Sequence, residues 1–135
     1  MAWVSGLGRD MMTTREAARM AAGLPGARMR DHFGSDAFYV HQIFATVWHD
    51  LNAVNLNLIP EEQRRFLLVD GEGFSQIPNA WGRRGWTRVN LDFVDPEQFK
   101  EALRCAWAHS ARDPRRAGKA QPRAKTKKKG RRQTT

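Results

Sequence analysis

The sequence predicts an α+β domain, an antiparallel sheet of about five to six strands with two or three helices packed on one face, followed by a disordered basic C-terminal tail. Three observations carry this. Residues 28–58 alternate apolar and polar side chains with a period near two. Helix-opening chemistry recurs at Thr13, Pro60 and Asp95-Pro96. One stretch, Trp81 to His109, joins a glycine-bounded turn, a strand, a tight connection and an amphipathic helix, and the rest of the chain is organised around it.

The elements follow in order. Residues 1–12 read as an N-terminal appendage: Gly6 and Gly8 interrupt any pattern, and Met11 or Met12 would serve equally as a translation start. Thr13-Thr14-Arg15-Glu16 is a capping box, in which the Thr13 hydroxyl accepts from the Glu16 amide and the Glu16 carboxylate reaches back. The helix it opens runs to Gly23, with Met20 and Leu24 toward the core and Leu24-Pro25-Gly26 as the stop. Arg28–Phe33 reads as a first strand and Gly34-Ser35-Asp36 as a turn. Ala37–Val40 and Ile43–Trp48 form a hairpin about His41-Gln42. After a turn at Asp50–Asn52, Ala53–Leu58 alternates, with Val54, Leu56 and Leu58 inward and Asn55 and Asn57 outward.

Pro60 suits the first position of a second helix, where a missing amide donor costs nothing, and Glu61 and Glu62 complement its dipole. Phe66, Leu67 and Val69 are its expected buried side, and Asp70–Gly73 its end. Phe74–Pro78 leads into the organising stretch. On the strand there, Val89, Leu91 and Phe93 share one face and Arg88, Asn90 and Asp92 the other. Asp95 caps the last helix, and Phe99, Leu103, Ala106 and Trp107 form its docking stripe.

Charge is divided unevenly. Residues 111–135 hold eleven Lys and Arg against the single acid Asp113, whereas residues 1–110 hold twelve basic and thirteen acidic residues. The formal +9 of the 135-residue chain therefore belongs to the tail. That tail has no aromatic, Val, Leu, Ile or Met, and cannot bury enough apolar surface to offset the entropy of ordering it. The expected domains are thus 1–12, 13–110 and 111–135. One cysteine, Cys105, excludes an intramolecular disulfide and multi-cysteine metal sites, and its helical setting suggests a small buried thiol. No apolar run is long enough for a membrane span, and the first ten residues lack the charge and length of a signal peptide, so a cytoplasmic protein, with a monomer the expected state, fits.

These blocks resemble the MmcQ/YjbR family of small bacterial proteins. The resemblance rests on the helix ending in Leu24-Pro25-Gly26, Ala37-Phe38, Ile43-Phe44-Ala45, Val54-Asn55-Leu56, Pro60-Glu61-Glu62-Gln63, Gly85-Trp86-Thr87-Arg88-Val89, Asp95 and Ala106-Trp107, and covers residues 13–110. It implies a frataxin-like (CyaY-like) α+β fold, also described as a double-wing fold, DNA as partner and no enzymatic activity. The ridge of carboxylates by which iron chaperones of that fold hold metal is missing here. The first helix offers Glu16 beside Arg15 and Arg19, and His32, His41, His49 and His109 have no ligand spacing, so no metal or other cofactor is expected.

The candidate DNA contacts are of three kinds. The tail cations Arg115, Arg116, Lys119, Arg123, Lys125, Lys127, Lys128, Lys129, Arg131 and Arg132 would neutralise phosphates, the bland reading being a solubilising extension. Arg83 and Arg84 read as the flexible tip of a turn between Gly82 and Gly85, flanked by Trp81 and Trp86 as candidate stacking rings, against which stands a solvated turn whose tryptophans plug the core edge. Arg28, Arg30 and Arg88 would form a basic strip on the exposed sheet face, opposed by Asp31 and Asp92. The alternative is a protein- or small-ligand-binding module with a groove among Tyr39, Trp48, Trp81, Trp86, Asn55, Asn57 and Asn90. An enzyme built on His32, Asp36 and His41 ranks below both, since the chain shows no nucleophile elbow, phosphate loop or metal motif.

Overall fold

The computed structural model describes residues 12–112. Helix α1 (Thr14–Ala22) is capped by Thr13 as its sequence requires: the Thr13 hydroxyl accepts from the Glu16 amide at 3.0 Å, and the Thr13 amide donates to Glu16 Oε1 at 2.9 Å. Strands β1 (Arg28–His32), β2 (Ser35–Tyr39), β3 (Ile43–Trp48) and β4 (Ala53–Asn57) form a meander, with a 3-10 turn at His49–Leu51 between the last two. Helix α2 (Pro60–Val69), strand β5 (Phe74–Gln76), the one-turn helix α3 (Ala80–Arg83), strand β6 (Trp86–Asn90) and helix α4 (Pro96–Ala111) complete the domain. The sheet order is β1-β2-β3-β4-β6-β5, antiparallel throughout.

Helices α1 and α4 cover one face of the central strands, and α2 packs on β5 and α4. Between these layers Phe44, Phe66, Phe74 and Phe99 are buried with Leu56, Leu58, Val54, Val89, Leu91 and Val94. Full burial of each such side chain contributes about 1.5–3 kcal/mol before entropy is counted. Asp95 caps α4 by accepting from the Gln98 amide at 3.1 Å, with Pro96 in the first turn. Among the described residues no helix is long and apolar enough to cross a membrane.

Several local expectations are corrected. The β1–β2 turn is Phe33-Gly34, both at positive φ, and Ser35 and Asp36 already belong to β2. Phe33 is therefore out of the strand and exposed. The β2–β3 connection contains Val40 as well as His41-Gln42, because Tyr39 pairs with Ile43 after a shift at Phe38/Tyr39. That bulge turns both Phe44 and Ala45 into the helix-side core.

Asn57 is buried rather than outward-facing in water, its amide donating to the Ile43 carbonyl at 3.1 Å. On α2 the buried residues are Phe66 and Gln63, while Val69 is exposed. Strand β6 ends at Asn90, so Phe93 lies in the following turn and faces solvent. Phe74–Gln76 is an edge strand rather than a mere lead-in. Met12 is buried, and its amide donates to the Leu91 carbonyl at 3.2 Å, so the packed domain reaches at least one residue before Thr13.

Candidate nucleic-acid interface

Strand register decides which side chains share the open face, opposite α1 and α4. Paired residues on antiparallel neighbours project to the same side. Following Arg30↔Ala37, Ala37↔Thr46, Thr46↔Asn55, Asn55↔Arg88 and Ser75↔Arg88 gives one row straight across all six strands. Arg30 stands at its β1 end, Ala37, Thr46 and Asn55 fill its centre, and Arg88 on β6 lies one strand in from Ser75 at the other edge. Arg28 with Tyr39 and Ile43 lies on one side of this row.

Asp31 pairs with Asp36, and Asp36 with Val47, which places both acids on the helix side. Asp92 follows β6 and accepts from the Asn52 amide at 2.7 Å. Of the two acids expected to oppose the basic strip, Asp31 is thus on the other face and Asp92 lies beyond the strand, tied to Asn52. No strand position on the open face carries Asp or Glu.

Three tryptophans gather over this face. Trp48, Trp81 and Trp86 line one cavity of about 430 Å³, with Ile43 and Ile77 as apolar walls and His32, Thr46 and Asn55 as polar ones. Trp81 and Trp86 meet edge to face, with centroids 6.4 Å apart and planes at 80°. The Trp48 indole N–H is buried and finds no acceptor among the described residues. Arg88 Nε donates to Asn55 Oδ1 at 2.8 Å, which holds the half-buried guanidinium against the floor. Arg30 lies over the Tyr39 ring at 4.5 Å, and Arg84 over Trp81 at 5.5 Å.

The expected basic turn at 82–85 has a different form. Asn79 caps α3 by accepting from the Trp81 amide at 2.9 Å, and Arg84 closes the helical turn. Gly82 and Gly85 are buried against the Ile77 and Leu58 carbonyls. Gln63, from α2, donates to the carbonyls of Gly82 and Trp86, both at 3.0 Å, and to Thr87 Oγ1 at 3.1 Å. Arg83 and Arg84 are exposed, but on a pinned helical turn rather than a flexible tip. The tail residues Arg115, Arg116, Lys119, Arg123, Lys125, Lys127, Lys128, Lys129, Arg131 and Arg132 lie outside the described residues.

The groove suggested by the aromatic and asparagine residues is partly assembled. Trp48, Trp81, Trp86 and Asn55 meet in it; Tyr39 shares the face. Asn57 serves the Ile43 backbone, and Asn90 Oδ1 accepts from the Asp92 amide at 3.0 Å. Ile43 and Ile77 were not among the expected residues. The bulge that turns Ile43 to this face, and the Ile77 amide's bond to the Trp86 carbonyl at 3.1 Å, have no local sequence signal.

The three residues considered for catalysis are not brought together. His32 lies on the open face, exposed His41 in the β2–β3 loop, and Asp36 on the helix side. Asp36 instead meets His49 Nε2 at 2.9 Å, while His49 Nδ1 lies 2.7 Å from Thr14 Oγ1, a bridge between sheet and α1. Among the described residues no three His, Cys, Asp or Glu side chains are grouped to hold a metal ion. Cys105 is half-buried; burial first, then the Glu62 and Glu101 carboxylates, push its thiol pKa up against the opposing pull of Arg65. Such a group is a poor nucleophile at neutral pH.

Comparison with known proteins adds the following. The family model described as YjbR matches residues 22–109. No curated protein matches the chain. Among solved structures, the Deinococcus radiodurans protein DR2400, described by the family-model domain DUF419, aligns with a TM-score of 0.60 at 20% identity, covering 71% of this chain and 76% of that one. At that identity the likeness is one of fold.

Proposed function

This chain belongs to the YjbR family, and we propose that it is a non-enzymatic DNA-binding protein whose open sheet face meets the nucleic acid. The observation that carries the reading is the composition of that face: Arg28, Arg30 and Arg88 among Tyr39, Trp48 and Trp86, with no carboxylate at any strand position. Cations neutralise phosphates and release counterions, which supplies affinity without reading sequence. Arg83 and Arg84 extend the basic edge beside Trp81, and the cations of residues 111–135 add phosphate contacts of the same kind. A second reading, a small-ligand module, is favoured by the cavity of about 430 Å³, which lies within the usual range for small-molecule sites.

Fluorescence anisotropy of labelled DNA across a salt series tests the first reading on the full chain and on an Arg30→Gln/Arg88→Gln variant. Loss of two phosphate contacts should weaken binding and reduce the log–log salt slope by about 2 on duplex DNA. Equal affinity and slope for both proteins would remove the sheet face from the interface.

A further inference from the structure

We infer that the open face is built for single-stranded nucleic acid, with one unpaired base entering the cavity formed by Trp48, Trp81 and Trp86. This rests on the nucleic-acid reading above and names the form of nucleic acid that the same face selects.

Shape comes first. Six strands at about 4.8 Å spacing make a surface roughly 24 Å across, whereas the major groove is about 12 Å wide and admits a helix or a two-stranded ribbon. The helices that could enter a groove, α1 and α4, bury their apolar sides against the opposite face. A sheet of this breadth can reach duplex base edges only by widening and bending a groove, and a duplex would leave the ring-lined cavity unused because its bases are stacked on one another.

Chemistry points the same way. Trp81 keeps 55% of its surface exposed although it is large, apolar and part of a pinned helical turn. With Trp81 and Trp86 edge to face, a planar base could stack on one ring and abut the edge of the other. Thr46 and Asn55 at the cavity lining provide hydrogen-bonding groups for a base edge. Arg30 on β1 and Arg88 on β6 lie four strand steps apart, about 19 Å, on the two strands from which His32 and Trp86 also line the cavity. The face thus offers cations on β1 and β6 for the backbone and, beside that row, the rings of Trp48, Trp81 and Trp86 for a base, the combination that sequence-tolerant single-strand binding requires.

The test uses the full chain with a labelled oligothymidylate and a labelled duplex of equal length, read by anisotropy and by quenching of tryptophan fluorescence. The unmodified chain should bind the single strand more tightly than the duplex and lose tryptophan emission on doing so. Trp81→Ala should weaken single-strand binding by roughly 5- to 150-fold, the range for removal of one stacking ring, and leave duplex binding and the melting temperature unchanged. Trp81→Phe should restore most of the loss. Duplex bound as tightly as single strand, or a folded Trp81→Ala protein with undiminished single-strand affinity, would overturn the base site while leaving the phosphate-directed reading in place. Absence of binding to either nucleic acid by the full chain would remove both.

Discussion

A Cβ on Gly82 would lie 1.6 Å from the Ile77 carbonyl oxygen, and one on Gly85 1.7 Å from that of Leu58, where Gly85 also holds φ at +118°. These two glycines let α3 lie flush on backbone that other residues would push away, and so fix Trp81 and Trp86 beside the sheet. Neither obstacle is a flexible side chain, so the backbone itself must shift. Gly82→Ala should therefore cost roughly 2–4 kcal/mol, read as a lower urea midpoint at unchanged m-value. From the sequence, the same glycines flanking two arginines read as freedom for a mobile tip. Their role is the reverse, because the close approach comes from Ile77 and Leu58, which only the folded chain brings to them.

At the scale of elements, the helix boundaries were the most legible feature. Thr13 with Glu16, Pro60, and Asp95 with Pro96 act through hydrogen bonds and dihedral limits within a few residues, so their meaning survives whatever the rest of the chain does. Strand ends were less legible, since a strand stops where its partner stops. Phe93 keeps the alternation of β6 in sequence yet is exposed, because pairing ends at Asn90. Helix α2 shows the converse at Gln63, a polar residue 4% exposed within an otherwise ordinary amphipathic pattern. Its amide ties α2 to α3 and β6, and no local rule signals that. Gln63→Leu keeps the volume but removes three hydrogen bonds, to the Gly82 and Trp86 carbonyls, which keep only their Gly85 and Ile77 amide donors, and to Thr87 Oγ1, and should cost about 1–3 kcal/mol in chemical denaturation. It should also loosen Trp81, visible as a change in its fluorescence environment.

For the whole molecule, the sheet divides the labour between its faces. One side is sealed by helices over the phenylalanine core, and the other carries arginines and rings that α1, α2 and α4 leave uncovered. Edge strand β1 carries Arg28, Arg30, Asp31 and His32, the kind of charged edge that discourages pairing with another chain. The charge of the chain is distributed on a larger scale still, between a domain near neutrality and residues 111–135. A chain ending at Arg112 should bind nucleic acid more weakly and with a much shallower salt slope, while keeping the single-strand preference that belongs to the ring-lined cavity. The salt titration of that shortened chain separates the two contributions. A slope equal to that of the full chain would assign the phosphate contacts to the domain instead.

The α+β class, the starts of the three long helices, most of the residues that pack the core and the placement of excess cations beyond residue 110 were legible in the chain alone, because capping, periodicity and composition are properties of neighbours along the chain. The site depended on tertiary structure. Which arginines share a face with which rings, and that Asp31 stands on the other side from Arg30, follow from strand register. The bulge at Phe38/Tyr39 and the order β4-β6-β5 bring Ile43, Ile77 and the tryptophans to one cavity from positions up to 43 residues apart. Register is set by the summed packing of the whole sheet, and a shift of one residue would move every side chain of a strand to the opposite face.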